Sequence, residues 1–369
     1  MFSMFRAGGA AGADGAGAGP GAGPVGDVFT FANNKGGSGK STMLFQLACA
    51  YAQARPEESV LVIDLSLYSD VSTLLMGGTH REQILAACAG EEALVQVASS
   101  PDRRAEGLLA SLERDAGADV LDYAVTPCET NPKVPANLKL VASCEKLPDV
   151  EGTYYRVASK LRQSLARLGE GWTVFIDTDH LAASGIGKLA LCAASKILVP
   201  LSTDDLDFKR MFYDPTGHSL VEAIKGLREK SQLHGKLHCF LFNRVKPKKN
   251  EEFETEMWRS PFTPNKPTTA LLEKMAGNLY AYYEEDGFKL FAGEIRTHAD
   301  FKPYFFCFRD GAESVMNASK QGGEPIVAMD HNARDLSRRF PGGLEIKLTK
   351  DAILAFKGDI MNCVNEVLL

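Results

Sequence analysis

No run in these 369 residues approaches the ~18–20 consecutive apolar residues that a membrane-spanning helix needs. Cysteine patterning is equally thin. The eight cysteines, Cys49, Cys88, Cys128, Cys144, Cys192, Cys239, Cys307 and Cys363, form no CxxC pair and no zinc-type spacing. Scattered thiols in a chain this long argue against a disulfide framework and for a reduced, cytosol-like compartment. There is no excess of positive charge: 41 Lys plus Arg against 47 Asp plus Glu leave a net charge of -6. A globally basic nucleic-acid coat is excluded, although a local patch could still touch DNA. No internal repeat is found.

What is present is an ordinary globular balance, 45% apolar and 24% charged. The length fits one enlarged domain or two. Residues 1–26 stand apart, because sixteen of them are Gly or Ala, with Pro20 and Pro24 among the rest. Such a segment buries too little apolar surface to offset its ordering entropy, so it is expected to be a disordered tail. Arg6 is its only basic residue and it has no continuous apolar stretch. A secretory signal is therefore not expected; a transit peptide would leave the compartment open.

The body, residues 27–369, is read as a single domain. It opens with the β-prone run Asp27 to Ala32, followed by a glycine-rich turn. From Lys40 to Ala54 the spacing of Leu44, Leu47, Ala48 and Tyr51 predicts a helix. Ser59 to Asp64 is a run of the kind that fills a buried parallel strand. Similar runs recur at 137–141, 173–177, 196–200 and 238–243, mostly with helical stretches between them. The expected fold is α/β: a doubly wound, mainly parallel sheet of the P-loop type, with helices on both faces. Two stretches read as insertions, an Ala-rich, charged and helical one near 80–135 and one near 246–290 with a Pro-rich middle.

The strongest signal is Lys35-Gly36-Gly37-Ser38-Gly39-Lys40-Ser41-Thr42. Backbone N–H groups of a glycine loop can wrap phosphate oxygens because no side chain blocks the approach, and the following helix adds its positive end. In that pattern Lys40 supplies charge to the β and γ phosphates and Ser41 a hydroxyl to Mg²⁺. The ordinary P-loop would have Gly at position 34; here it is Asn34.

This loop, following a strand, resembles the deviant Walker A motif of the ParA/MinD ATPase family. The resemblance extends over about residues 27–335. It implies that Lys35 is the signature lysine reaching a partner's phosphates across an ATP-sandwiched homodimer. Ile63-Asp64 through Leu75 is similar to the family's switch segment, usually I-D-x-D-P-Q, and Val174 to Thr178 to its Walker B strand. Asn243-Arg244 resembles the pair whose Asn reads adenine, and Ile295-Arg296-Thr297 the late loop beside the base. The implied site has Lys35, Lys40, Asp64 and Asp70 as catalytic groups. Gly36, Gly37, Ser38, Gly39, Lys40, Ser41, Thr42, Asn243 and Arg244 hold the nucleotide, and Ser41 and Asp177 hold the metal. The implied cofactors are ATP and Mg²⁺. The implied function is an ATP-dependent dimerisation switch in the cytoplasm that partitions or positions a cargo, DNA or a protein assembly, through an adaptor or cargo protein.

The match breaks at the second switch carboxylate, which is Ser66 here; Leu67 and Tyr68 replace the usual Pro-Gln, and Asp179-His180 the usual Pro-Pro. A hydroxyl is no comparable base at neutral pH. Three readings remain open: Asp70 or Asp179 standing in, slow hydrolysis that needs a partner, or a dimer switch without useful turnover. Weak, partner-stimulated hydrolysis is the expectation carried forward. A metal-cluster carrier, a cofactor-biosynthesis enzyme or a non-hydrolysing ATP-binding regulator on the same fold is the alternative.

Other signals are set aside. His234 and His238 share helical spacing, but His238 begins a strand, so no metal pair is expected. Cys128 and Cys144 lack a cluster-binding context. Lys246, Lys248 and Lys249 could touch DNA phosphates non-specifically, yet Glu251, Glu252, Glu254 and Glu256 follow at once. The amphipathic stretch from Asp351 to Leu369 has too little positive charge for anionic lipid, so a helix packed on the sheet is expected rather than membrane binding.

Overall fold

The computed structural model describes residues 25–78, 104–114, 117–143, 147–179, 184–213, 219–248, 259–286, 291, 293, 295–311 and 313–369. Expectations for most of the N-terminal tail, for Cys88, Cys144 and His180, and for the acidic run at 251–256 lie outside those residues.

Seven strands form one sheet: β1 (Val28–Phe31), β2 (Ser59–Leu65), β3 (Leu138–Val141), β4 (Trp172–Thr178), β5 (Lys196–Ser202), β6 (Lys236–Val245) and β7 (Phe305–Arg309). Their order is β3-β2-β4-β1-β5-β6-β7, and every pairing is parallel. Both faces are covered, which is why the strands read as unbroken apolar runs rather than alternating ones. Alternation survives in where the side chains go. In β2, Val60 and Val62 enter the core on one side of the sheet, while Leu61, Ile63 and Leu65 enter the core on the other.

Three helices matter for the site, and all pack on the first of those faces: α1 (Lys40–Ala54), α2 (Asp70–Leu75) and the C-terminal helix Lys350–Cys363. Helix α1 begins where Gly39 O accepts from Met43 N at 2.8 Å. It ends at Arg55, because Pro56 disfavours helical backbone in the residue before it. The C-terminal helix buries Ile353, Phe356, Ile360 and Cys363 on one stripe, so it packs on the sheet as its sequence pattern requires. His238 lies within β6, half-buried, with Nε2 2.5 Å from Val367 O.

Two sequence expectations need amendment. The stretch near 80–135 is α-helical, among its described residues, over Ala105–Arg114; after that come short 3-10 turns, and Val125 bridges Leu140 of β3. In the stretch near 246–290 the Pro-rich part closes on itself through a Pro247–Pro264 bridge, and then a 21-residue helix, Lys266–Asp286, takes over. Strand β7 is not announced by its sequence. Its five residues, Phe-Phe-Cys-Phe-Arg, form an apolar run too short for periodicity to separate strand from buried helix. Among the described residues no helix is long and apolar enough to cross a membrane.

Candidate functional site

The loop after β1 lies at the carboxyl ends of the central strands, where open parallel sheets place their ligands. Gly37 and Gly39 have φ of 78° and 87°, which only glycine adopts without strain. A Cβ on Gly36 or Gly37 would meet nothing within 4 Å, so the loop opens onto free space. Asn33 anchors it from below: its Nδ2 donates to Pro200 O at 2.5 Å, and its Oδ1 accepts from Lys35 N at 3.1 Å. Lys40 is 7% exposed, and its Nζ donates to Lys35 O at 3.3 Å, across the loop. Burial pulls the Lys40 pKa below the ordinary lysine value, while Asp177, Asp179 and Asp70 push it back up. The loop therefore holds a buried ammonium faced by three carboxylates. Ser38 Oγ is buried in the same loop without a hydrogen-bond partner among the described residues.

Asp177, next to last in β4, is the register partner of Asp64 in β2, and both are fully buried. Neither oxygen of Asp177 has a hydrogen-bond partner among the described residues, although Ser41 lies near enough to draw its pKa down. Burial and the Asp64 charge dominate and lift the Asp177 carboxyl well above the usual range. A buried carboxylate with two unused oxygens beside a serine hydroxyl is a poor structural element and a good partial shell for a hard divalent cation. Such an ion keeps several waters and takes its remaining oxygens from phosphates, so one or two protein ligands suffice. Ser41 and Asp177 therefore fit Mg²⁺.

Asp64 is spent differently. Its Oδ1 accepts from Ser66 N at 2.9 Å and Ser66 Oγ at 2.6 Å; its Oδ2 accepts from Ser72 N at 2.9 Å and Ser72 Oγ at 2.6 Å. Ser143 extends the network, its N donating to Ser72 Oγ at 3.0 Å and its Oγ to Ser66 O. Asp64 clamps the switch segment to β2, with both oxygens filled by these hydrogen bonds. The Ser66 hydroxyl donates its hydrogen bond to Asp64 and, being 2% exposed, is no base. Asp70, by contrast, is exposed at the start of α2. Its pKa is raised, first by desolvation and then by Asp179, with Lys320 and Lys40 opposing.

On the other side of the loop a cavity of about 440 Å³ opens between β6, β7, α1 and the C-terminal helix. Lys35, Gly39, Thr42, Asn243 and Arg244 line it. Asn243 Nδ2 donates to Ser38 O at 2.9 Å, tying the end of β6 to the loop. Arg244 takes a left-handed φ of 59° where the β6–β7 register shifts. At the base of the cavity, Arg309 makes a two-pronged contact with the fully buried Asp359 of the C-terminal helix, at 2.8–3.0 Å.

The sequence matches a known group: the CobQ/CobB/MinD/ParA nucleotide binding domain profile covers residues 29–268. The chain belongs to this family. Among solved structures, the ATP complex of a McdA variant from Cyanothece is similar at TM-score 0.52 and 14% identity, over 91% of this chain and 96% of that one. A plasmid partition protein from Borrelia burgdorferi B31 bound to AMPPNP is similar at 0.51 and 14%, over 93% and 100%. A ParA family ATPase from Chlorobium tepidum TLS is similar at 0.51 and 12%, over 92% and 98%. At these identities the likeness is one of fold. Among curated proteins none matches the chain by sequence.

Within this CobQ/CobB/MinD/ParA fold, one expected placement is corrected. Ile295, Arg296 and Thr297 do not line the cavity; they lead into a 3-10 turn capped by Thr297 and Asp300. The late segment that does line it is Phe308 to Gly311, at the end of β7. An apolar strand ended by Asp310-Gly311, a turn pair, was the available signal. Phe356 and Ile360, which floor the cavity, carried none beyond the amphipathic pattern of their helix.

Proposed function

We propose that this protein is a Mg·ATP-binding dimerisation switch of the ParA type, with weak or partner-stimulated ATP hydrolysis, used to partition or position a cargo. The observation that carries the reading is Asp177, buried, with two unused oxygens, beside the phosphate-loop residues Lys40 and Ser41. Burying a carboxylate that way is costly unless a cation completes it.

In this reading the amides of Gly36 to Ser41 wrap the phosphates, and Lys40 leaves the Lys35 carbonyl for phosphate oxygens. Ser41 and Asp177 hold Mg²⁺, which when bound neutralises charge on the β and γ phosphates. The nucleoside occupies the cavity beside Asn243 and Arg244. Because Asn243 spends an N–H on Ser38 O, its Oδ1 remains to accept from an exocyclic amine such as that of adenine. Lys35 reaches the phosphates of a second copy. Cargo or adaptor affinity then depends on the dimer, since a ligand shifts an equilibrium only by its preference between states. The compartment is cytoplasm-like, in keeping with buried free thiols such as Cys49 and Cys239.

Light scattering with and without Mg·ATP tests this on wild type, Lys35→Ala and Lys40→Ala. Wild type doubles in mass with ATP, Lys40→Ala fails through lost phosphate affinity, and Lys35→Ala binds ATP but stays monomeric. Equal dimerisation of all three proteins would remove the sandwich.

A further inference from the structure

Position 66 leaves the phosphate face without the switch carboxylate expected there, and the carboxylates nearby are not equivalent. Asp64 has both oxygens saturated by Ser66 and Ser72. Asp177 lies buried at the bottom of the loop, beside Ser41. Asp70 sits exposed at the head of α2 and faces Lys320 as well as Lys40.

Asp179 is held differently from all three. It follows the end of β4 by one residue, and its Oδ2 accepts from Leu67 N at 3.0 Å. That bond joins the two segments that flank the phosphate loop, the switch turn after β2 and the turn after β4. Among the described residues its Oδ1 takes no hydrogen bond. The group stands close enough to both Lys40 and Asp70 to lift the pKa of each. A carboxylate braced by a backbone N–H, within electrostatic reach of the phosphate lysine and with one oxygen to spare, can orient a water.

We propose that Asp179 supplies the contact to the attacking water that Ser66 does not, and is a catalytic residue of this chain. This rests on the nucleotide-hydrolysis part of the function proposed above. The water oxygen forms a bond to the γ phosphorus while accepting orientation from Asp179 Oδ1, to which it donates. The bond from that phosphorus to the β–γ bridging oxygen breaks, and ADP keeps the electron pair. The proton released by the water passes to the product phosphate, so no additional reactant is needed. The Leu67 N–H holds Asp179 in place, which makes the exposed Leu67–Tyr68 turn part of the positioning shell.

The test compares wild type, Asp179→Asn and Asp179→Ala, each checked by thermal melting. Mg·ATP binding is measured by calorimetry and hydrolysis in a single turnover at saturating protein. Asp179→Asn can still accept the Leu67 N–H, so it removes charge and leaves the brace. Expected are ATP affinity within about threefold of wild type and a rate at least about 100-fold lower, the range of a lost positioned carboxylate. Asp179→Ala loses the rate as well and weakens binding further, because the turn is unpinned. Wild-type rates in Asp179→Asn overturn the proposal and leave the switch reading standing. Tight ATP binding by wild type with no detectable hydrolysis also overturns it, and leaves a binding-only switch. Absence of ATP binding in wild type overturns both.

Discussion

Asn243 Nδ2 donates to the carbonyl of Ser38 at 2.9 Å, joining residues 205 positions apart in the chain. The same Nδ2 would stand 3.2 Å from a Cβ placed on Gly39, whose φ is 87°. One side chain therefore braces the loop and crowds any Cβ placed beneath it, at a position whose φ already favours glycine. Asn243→Ala removes the brace and the proposed base contact. It is expected to weaken nucleotide binding by about tenfold, roughly the worth of one hydrogen bond to a fixed partner, with a small change in melting temperature. Gly39→Ala is expected to do more, adding about 1–2 kcal/mol of backbone strain to the displaced Asn243. Calorimetric titration and thermal melts of the two variants separate the effects.

Arg244 carries backbone strain at the mouth of the cavity, with φ of 59°. A left-handed non-glycine residue costs about 1–2 kcal/mol. Glycine relieves this but adds about 0.5–1 kcal/mol of unfolded-state entropy. Strain relief is the larger quantity, so Arg244→Gly is expected to leave stability unchanged or raise it by up to about 1 kcal/mol, while nucleotide affinity falls. Arg244→Ala keeps the strain and loses the affinity. A fall in melting temperature for Arg244→Gly would show that the side chain stabilises the empty fold.

The raised Asp177 carboxyl makes stability depend on pH in a defined direction. Its ordinary value is 3.8, and in the folded chain it lies well above that. Between those two values the folded state keeps a proton that the unfolded state has lost. The stabilising contribution is therefore fully present below about pH 4 and is lost as pH rises through the folded value. Asp177→Asn abolishes this loss, and with it the charge that Asp177 and Asp64 impose on each other. The melting temperature of the variant should overtake that of wild type progressively from pH 4 to pH 8 without nucleotide. Mg²⁺ should tighten nucleotide binding to wild type and leave the variant unaffected. Parallel melting curves across the range would contradict the placement of a raised pKa at this residue.

Much of the frame could be read from local pattern. Buried parallel strands announce themselves as Val-Leu-Val-Ile or Val-Phe-Ile runs, and a helix that opens on a glycine loop has few alternatives. The bounds expected for α1, Lys40 to Ala54, are those found. Residues whose meaning depends on a distant neighbour were not legible. Nothing near Asp64 in sequence says whether its oxygens are free for chemistry or filled by Ser66 and Ser72. The answer comes from a turn that brings position 72 back onto position 64. Asp310 and Gly311 reach the cavity only because β7 pairs with β6, a contact the sequence does not encode locally. Arg309 and Asp359 meet across 50 residues for the same reason.

The switch clamp sets the last expectation. Ser72 gives two hydrogen bonds to the Asp64 carboxylate and accepts one from Ser143 N, all in a region less than 4% exposed. Ser72→Ala keeps the backbone bond but removes the hydroxyl, which strips one donor from a buried charge and orphans the Ser143 amide. Bonds to charged groups are worth about 1.5–3 kcal/mol and an orphaned buried amide costs about 1–3 kcal/mol, so a loss of roughly 3 kcal/mol is expected. Ser66→Ala leaves Asp64 Oδ1 with the Ser66 N–H and orphans no comparable buried donor, since the long Asp70 N–H bond it releases belongs to an exposed residue. Its loss should be about half as large. Denaturant unfolding of both variants checks the order. Equal losses would mean that the clamp is held by the backbone turn rather than by the two hydroxyls.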